Sequence, residues 1–360
     1  MQSKQSKYFK YRFIIIFILI YNIFNSNYYA IRKRIGVIGL DHSQNVGNNL
    51  LKYAISIKLS EFGYIPYIIG RRFRNHNISF INSTVNLVII KNFSEIKESD
   101  FDILMVNSDQ TWSVYVQDFY NIAFLKFAEK WEKPKFVYGA SLGFDTWKFN
   151  DTDEKVAKKL MKKFSGISVR EKVSVDLIKK HLDLNAIFVL DPTLLINKKY
   201  YLKLIKDYQS YIIKGINNEQ YIFAYILKKK KNLQIYLSRV KKKLKLPIFY
   251  VTIGKKDQVK EFLYGINSCK AVITNSFHGT IFSIIFNKPF VTFKMMNNDC
   301  RLNNLIEIFN IGDRIIDENS VPSISLLNRP LAIDKLKLNS LRKRSIDYLK
   351  QNLFHSNNFF

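Results

Sequence analysis

One stretch of the chain combines a histidine with hydroxyl side chains and a glycine. Residues 274–280 read Thr-Asn-Ser-Phe-His-Gly-Thr and follow an apolar run that is typical of a buried strand. Histidine is the side chain best suited to proton transfer near neutral pH. We therefore predict that His278 is a general acid or base, with Ser276, Gly279 and Thr280 beside a substrate. The alternative is a structural histidine.

An arginine stands at the end of another apolar run. Arg170 follows Ile167–Val169 and precedes Glu171. A guanidinium at a strand end can bind a carboxylate or a phosphate through two hydrogen bonds. Arg170 is therefore a candidate for binding an anionic substrate, and an ion pair with Glu171 or another acid is the alternative.

A carboxylate, an amide and an indole follow a third apolar run. Residues 107–112 read Asn-Ser-Asp-Gln-Thr-Trp. Asp109 could orient or deprotonate a hydroxyl, and its neighbours could hydrogen-bond to a sugar and stack on it. The alternative for Asp109 is a helix cap. The binding candidates here are Ser108, Gln110 and Trp112.

Two loops are rich in small residues. Residues 41–48 read Asp-His-Ser-Gln-Asn-Val-Gly-Asn, which suits a tight turn into a helix N-terminus that can hold an anion. This is neither a GxGxxG nor a Walker motif, and ordinary turn chemistry is the alternative. Residues 139–143 read Gly-Ala-Ser-Leu-Gly and allow close backbone approach. The candidates in these loops are Asn45, Gly47, Asn48 and Ser141.

The elements that carry these loops alternate between short apolar runs and amphipathic stretches, which is typical of an α/β protein. The alternation stops after Leu195 and restarts near Tyr221. We predict two Rossmann-like domains facing a cleft, at 34–195 and 196–330, with an N-terminal extension at 1–33 and a helical tail at 331–360. Parallel sheets bind ligands beyond the carboxyl ends of their strands, where these loops fall.

Composition narrows the class of partner. The 360 residues include 57 lysines and arginines against 29 acids, a net charge of +28 that favours anionic partners. The two cysteines exclude a disulfide framework and a structural zinc site, and five scattered histidines show no metal-ligand spacing. No metal site is predicted. The lysine runs at 228–231 and 241–243 lack a nucleic-acid-binding signature, so no nucleic acid is expected.

The N-terminal extension contains an apolar segment at residues 13–24, between basic clusters. It is shorter than the roughly 20 residues that span a bilayer as a helix, although aromatic flanks extend it to residues 8–29. A signal-anchor helix, an interfacial helix or ordinary extension, and a cleaved signal peptide are the alternatives. We favour membrane association through residues 8–29 on an undetermined face, and otherwise a cytoplasmic location.

Together these segments resemble the polysaccharide pyruvyl transferase family. The resemblance covers about Ile35 to Arg314, with residues 1–33 outside it. Two positions depart from the family pattern, namely Asn107 where glycine is usual and Leu51 where glutamine is common. The matching pieces, in order, are Asn45–Asn48 with Tyr53-Ala54, Ser108–Trp112, Tyr138–Gly143, Ser168–Glu171, Leu190–Leu195, Asn275–Ser283 with Lys288–Phe290, Arg301-Leu302 and Gly312–Arg314.

The resemblance implies a GT-B-like fold and transfer of pyruvate from phosphoenolpyruvate to two hydroxyls of a sugar, with loss of phosphate. The product is a ketal on a polysaccharide, glycan or glycolipid acceptor. Phosphoenolpyruvate is the donor substrate, and no cofactor or metal is required, because arginines can neutralise its phosphate. The candidate cations are Arg170, Arg301 and Lys294, with His278 as acid–base and Asp109 as a weaker second group.

Two other classes stay open. The first is a nucleotide-sugar glycosyltransferase of the same architecture, although the sequence has no evident diphosphate-binding glycine loop. The second is a non-catalytic membrane-tethered or nucleic-acid-binding protein, suggested by the positive charge and the apolar N-terminal segment.

Overall fold

The computed structural model describes residues 32–40, 45–71, 83–210, 213, 220–251, 257–296 and 299–354. The segment predicted to associate with a membrane, residues 8–29, lies outside this described part, as do residues 41–44 of the first loop. No helix within the described part is long and apolar enough to cross a bilayer.

The first half of the chain forms a parallel sheet with the strand order β3-β2-β1-β4-β5. Its strands are largely apolar, as expected where helices cover both faces of a parallel sheet. A short pair, β6 and β7, continues from it through a bridge between Ala140 and Val169. The strands are β1 (Arg34–Ile38), β2 (Ile65–Arg71), β3 (Asn86–Ile90), β4 (Ile103–Val106), β5 (Lys135–Val137), β6 (Ser168–Val169) and β7 (Ile187–Phe188).

In the part of this half that the structure describes, four α-helices accompany these strands. They are α1 (Val46–Glu61), α2 (Phe119–Phe124), α3 (Asp151–Met161) and α4 (Lys172–Leu182). The apolar pattern predicts a helix over 123–132, but α2 ends earlier and a 3₁₀ turn follows it. The physical reason is the left-handed backbone of Leu125, with φ +53°, which an α-helix cannot continue through.

The second half forms another parallel sheet, with the order β12-β11-β10-β8-β9. The sequence pattern did not predict α5 (Lys198–Lys203), which lies in lysine-rich sequence, or α9 (Cys300–Phe309), which follows a polar run. It also did not predict β12 (Ile315–Ile316), which has only two residues. The elements are α5 (Lys198–Lys203), β8 (Ile222–Tyr225), α6 (Lys231–Leu244), β9 (Ile248–Tyr250), α7 (Gln258–Ser268), β10 (Ala271–Thr274), α8 (Phe277–Ile285), β11 (Phe290–Phe293), α9 (Cys300–Phe309) and β12 (Ile315–Ile316).

The last helix, α10 (Lys335–Phe354), returns to the first half. Its Tyr348 hydroxyl donates a hydrogen bond of 2.6 Å to the Val137 carbonyl at the end of β5. Its Ser345 hydroxyl accepts one of 2.9 Å from the Leu190 amide. The predicted C-terminal tail is therefore part of the core of the first half.

One apolar cluster runs continuously from the first sheet to the second, and residues from Arg34 onward form a single compact unit. The predicted α/β class with parallel sheets is confirmed, whereas the domain boundaries at 195 and 330 stay predictions. Within this unit, α1 contacts α7 and α8. The loops at the carboxyl ends of β4, β6, β7 and β10 consequently meet beside the N-terminus of α1.

Candidate functional site

Arg170 lies at the centre of a cluster of three carboxylates. It follows β6 directly, and its side chain is only 1% exposed. Nη1 lies 2.8 Å from Asp191 Oδ2, Nη2 lies 3.2 Å from Asp109 Oδ1, and Nε lies 3.2 Å from Glu171 Oε1. All three nitrogens are thus engaged in a buried site. The structure shows the alternative, ion pairs with acids, and the substrate-binding role of Arg170 stays a prediction.

His278 reaches this cluster from the second half. It stands in the first turn of α8, and its Nε2 lies 3.7 Å from Asp191 Oδ2. The ring packs against Gly47 in the first turn of α1, so closely that a Cβ at that position would lie 2.0 Å from His278 Nδ1. Nε2 is buried and has no hydrogen-bond partner in the described part of the chain. The imidazole and the Arg170 guanidinium therefore share one carboxylate oxygen.

Asp109 adopts a strained backbone conformation at the end of β4. Its φ is +99°, a region that residues other than glycine rarely occupy and that often marks functional positions. Its Oδ2 accepts a 3.1 Å hydrogen bond from Asn48 Nδ2, and its Oδ1 accepts one of 2.9 Å from the Gln110 amide. With an exposed side-chain fraction of 11%, against 3% for Asp191 and 1% for Glu171, it is the most open carboxylate of the cluster.

Electrostatics hold two of the three carboxylates ionised. Burial alone would raise the pKa of Asp109, but Arg170, His278 and Asn48 hold it below its usual range. Burial would likewise raise the pKa of Asp191, yet His278 and Arg170 depress it strongly. Both side chains are therefore anions at neutral pH.

Glu171 behaves differently, because burial dominates. Burial raises the pKa of its carboxyl to about 7, against the lowering effects of Arg170, Ser141 and Arg301. Its Oε2 is buried and lacks a hydrogen-bond partner in the described residues. Glu171 is consequently the carboxyl of the cluster whose pKa lies near neutral pH.

Replacing Glu171 by glutamine should change the pH dependence of stability. The folded state keeps the Glu171 proton from its ordinary pKa of 4.5 up to about 7, so the free energy of unfolding falls as pH rises through this window. We expect wild type to lose about 1–3 kcal/mol more than Glu171→Gln between pH 5 and pH 8 in urea unfolding. The exposed Glu132→Gln is the control, and equal losses in wild type and Glu171→Gln would contradict this.

Arg301 is the more open of the two arginines at the site. It lies in α9, with Nε and Nη2 at 3.0 and 2.9 Å from the two carboxylate oxygens of Asp299, and its side chain is 15% exposed. Its guanidinium carbon lies 5.6 Å from the centre of the Phe277 ring, and that of Arg170 lies 4.7 Å from the same ring. Arg301 is therefore the cation of this group best placed to meet an anionic ligand.

Lys294, the third predicted cation, lies elsewhere. Its Nζ is 3.0 Å from Asp317 Oδ1, in an ion pair that joins the chain after β11 to the chain after β12. No described contact connects Lys294 with the Arg170 cluster. The structure thus does not bring it together with the other candidates.

Two candidates of the loop after β4 serve the core instead. Trp112 is 1% exposed, and its Nε1 donates a 2.9 Å hydrogen bond to the Ala123 carbonyl. The indole has no open face, so the predicted stacking on a sugar is wrong. The Ser108 hydroxyl is buried and donates to the Gly139 carbonyl at 2.7 Å, which ties two strand ends together.

The hydroxyls near His278 also have structural roles. Ser276 caps α8 by accepting from the Gly279 amide at 3.3 Å. Thr280 is wholly buried, with Oγ1 at 2.8 Å from Thr292 Oγ1. Gly279 is required for packing, because a Cβ there would lie 2.2 Å from Thr274 Oγ1. These three predicted binding residues therefore position the helix that carries His278.

The N-terminus of α1 is occupied by its own cap. Asn45 Oδ1 accepts from the Gly47 and Asn48 amides at 2.8 and 3.4 Å, so these two donors are not open to an anion. Asn45 is a cap, Gly47 provides room for the imidazole, and Asn48 holds Asp109.

Gln110 and Ser141 converge on Gly143, in the loop after β5. A Cβ at Gly143 would lie 2.5 Å from Gln110 Nε2, and the Gly143 amide donates to Ser141 Oγ at 3.1 Å. Gly143 has φ +80°, which together with this close approach accounts for glycine at the position. Ser141 also lowers the pKa of the Glu171 carboxyl, against the larger raising effect of burial.

Sequence reasoning missed Asp191 and Asn304 as site residues. Asp191 follows β7 in an Asp-Pro-Thr turn, and its position after a strand was the signal that could have identified it. Asn304 Nδ2 donates to the Arg170 carbonyl at 3.0 Å from α9, a helix that the pattern did not predict. Within the described ranges, no group of three His, Cys, Asp or Glu residues is arranged to hold a metal ion.

Several solved structures share the fold. They include the S. aureus MnaA–UDP structure (TM-score 0.56, 12% identity, covering 90% of this chain and 97% of that one). UDP-GlcNAc 2-epimerase from Neisseria meningitidis bound to UDP-GlcNAc is similar at TM-score 0.55 and 9% identity, with 89% and 100% covered. Arabidopsis thaliana UGT89C1 complexed with UDP-L-rhamnose is similar at 0.53 and 10%, with 90% and 99% covered. The chain thus has a GT-B-like fold.

A family model described as polysaccharide pyruvyl transferase matches residues 7–295. No curated protein sequence matches the chain. The matched range begins inside the N-terminal extension, which the motif comparison had left outside, and it ends before Arg301. Since it spans most of the sequence, the chain belongs to the polysaccharide pyruvyl transferase family.

Proposed function

We propose that this protein transfers a pyruvyl group from phosphoenolpyruvate to two hydroxyls of a sugar in a polysaccharide or glycolipid, forming a cyclic ketal and releasing phosphate. Family membership supports the class of reaction. The observation that carries the proposal is the position of His278, packed against Gly47 and 3.7 Å from Asp191 where the strand ends of both halves meet.

The reaction needs a proton donor before it needs a nucleophile. A proton is added to the methylene carbon of the enol, so positive charge develops on the neighbouring carbon. One sugar hydroxyl adds there, and its proton passes to the group that donated the first one. His278 is the proposed donor, because its ring lies beside two ionised carboxylates and histidine is the side chain best suited to proton transfer near neutral pH. General acid catalysis of this kind contributes about 100- to 10,000-fold in rate.

The second half of the reaction closes the ring. Phosphate leaves the same carbon as the second hydroxyl attacks, and a base must take the hydroxyl proton. Asp109 is the most open ionised carboxylate and is suited to orient or deprotonate the acceptor. Arg301 is suited to neutralise the departing phosphate. In this scheme Arg170 is a positioning residue that fixes the carboxylates.

The test is incubation of the full chain with phosphoenolpyruvate and a panel of glycans. We expect free phosphate to appear only when an acceptor is present, with a matching mass gain on one glycan. Reactions without glycan, and with boiled protein, are the controls. Absence of phosphate release across polysaccharide and glycolipid acceptors would count against the proposal.

Replacing Gly47 by alanine should displace His278 without removing any reacting group. A Cβ there would overlap the imidazole, and a shift of about 1 Å in a catalytic group can cost about 100-fold in rate. We expect phosphate release to fall about 10- to 100-fold. Gly312→Ala is the matched control, because its Cβ would meet its nearest neighbour at an ordinary 3.5 Å. Equal rates in the two variants would refute the packing argument.

A nucleotide-sugar glycosyltransferase is the second candidate, favoured by the fold alone. Structures of similar architecture hold UDP, UDP-GlcNAc or UDP-L-rhamnose. Their identities of 9–12% leave the donor open. Thermal unfolding separates the two functions: stabilisation by phosphoenolpyruvate supports the first, and stabilisation by a UDP-sugar alone supports the second.

A further inference from the structure

A tenth of the chain carries a large share of its positive charge. Eleven lysines and arginines and no acidic residue lie between Glu219 and Asp257, in a protein whose whole sequence has 57 basic and 29 acidic residues. Most of these cations belong to α6 and its two flanks. The charge of the second half is thus concentrated at one helix.

The helix separates its residues by chemistry. Leu233, Tyr236, Leu237 and Val240 are buried in the core beneath the second sheet. The opposite side carries Lys231, Arg239 and Lys242, all exposed. Because residues three and four apart are neighbours on a helix, the spacings 231–235–239–242 place these cations along one line.

An apolar side chain lies in the middle of that line. The side chain of Ile235 is 39% exposed. We call Lys231, Ile235, Arg239 and Lys242 the basic face. None of its three cations forms an ion pair with any described acid, so their charge is directed to solvent.

We propose that the basic face docks on the surface of an anionic lipid bilayer. Long cationic side chains can reach lipid headgroups while a central apolar side chain enters the interface. Tyr250, 47% exposed on the edge strand β9 that follows α6, is another exposed amphipathic side chain of this half. An exposed apolar residue between cations favours lipid over nucleic acid, whose backbone offers only charge to such a face.

The apolar N-terminal segment is another membrane signal, beside the basic face. Its apolar segment at residues 13–24 is too short to span a bilayer as a helix by itself. Stable attachment takes two signals, for example one apolar anchor and one basic patch. The basic face supplies the basic patch. Its docking on a bilayer does not depend on whether the proposed transferase activity is correct.

The test measures sedimentation of the full chain with phosphatidylcholine vesicles, with and without phosphatidylglycerol. Lys231→Gln, Arg239→Gln and Lys242→Gln are combined in one variant. Each basic residue near an anionic surface contributes about tenfold or somewhat less, so we expect partition onto the anionic vesicles to fall about 100-fold. On pure phosphatidylcholine the variant should match wild type.

The matched control combines Lys155→Gln, Lys162→Gln and Lys180→Gln, three exposed lysines of the first half. It removes the same charge, and it should weaken binding to anionic vesicles by less than about threefold. If both triple variants lose binding equally, net charge rather than the basic face is responsible and the proposal fails. No loss in the basic-face variant would also overturn it.

A single substitution separates lipid from other polyanions. Ile235→Ala keeps every charge and should reduce binding to anionic vesicles about fivefold while leaving binding to duplex DNA unchanged. Circular dichroism and the melting temperature verify folding of each variant. Unchanged vesicle binding by Ile235→Ala, together with equal losses of DNA and vesicle binding in the triple variant, would make the face a general polyanion site and overturn the proposal.

Discussion

Replacing His278 by alanine should lower phosphate release from phosphoenolpyruvate by about 100- to 10,000-fold while the fold survives. The ring is the proposed proton donor and lies 3.7 Å from Asp191. Its removal leaves a space lined by Gly47 and the carboxylates, without an unpaired buried cation. Acceptor-dependent phosphate release measures the effect, and circular dichroism verifies the fold.

His181→Ala provides the matched control. His181 stacks on Trp147 at 4.6 Å and lies beside Glu154, outside the Arg170 cluster. This variant should retain the wild-type rate. A His278→Ala rate close to that of His181→Ala would remove His278 from the mechanism and leave its role structural.

Arg170→Ala should mainly destabilise the protein. The guanidinium is 1% exposed and is the common partner of Asp109, Glu171 and Asp191. Breaking a buried ion pair by removing one member leaves uncompensated charge and costs about 3–5 kcal/mol. We expect a loss of this size in the free energy of unfolding from urea titration at pH 7.

Acidification provides an internal check on that cause. The pKa values of Asp109 and Asp191 are lowered in the folded wild type. These groups therefore stabilise the folded state at pH values above their ordinary pKa, and this contribution is lost as the pH falls through their folded-state pKa values. Without Arg170 these carboxyls can take up protons more readily, and the deficit of the variant should narrow toward pH 4. The exposed Arg344→Ala should change stability by less than about 0.5 kcal/mol. Equal stability of Arg170→Ala and Arg344→Ala would contradict the buried-cluster interpretation.

Much of the fold could be predicted from the alternation of apolar runs. Ile103–Val106, Ala271–Thr274 and Phe290–Phe293 are strands at the predicted bounds, because buried parallel strands are continuous apolar segments. The pattern could not show that α10 packs against the first sheet. That packing depends on hydrogen bonds such as Tyr348 to Val137, which join residues 211 positions apart.

The site was predictable in position but less so in role. Strand-end reasoning selected Asp109, Arg170 and His278, and the structure brings all three together. It could not tell an arginine that binds a substrate from one surrounded by three acids, since Asp191 comes 21 residues later. The sequence likewise could not show that Trp112 is buried. An aromatic residue beside polar residues has the same sequence pattern whether it faces a sugar or the core.

The return of the last helix to the first sheet has a consequence for biosynthesis. Tyr348 packs its ring 6.2 Å from that of Tyr138, and the Tyr64 hydroxyl donates to the Leu353 carbonyl. A ribosome delivers the amino-terminal strands first, whereas Tyr348 is made 211 residues after Val137 and Leu353 is made 289 residues after Tyr64. The nascent amino-terminal sheet must therefore keep an uncovered apolar groove until α10 has been made, and a premature stop before Lys335 would leave that groove open to aggregation.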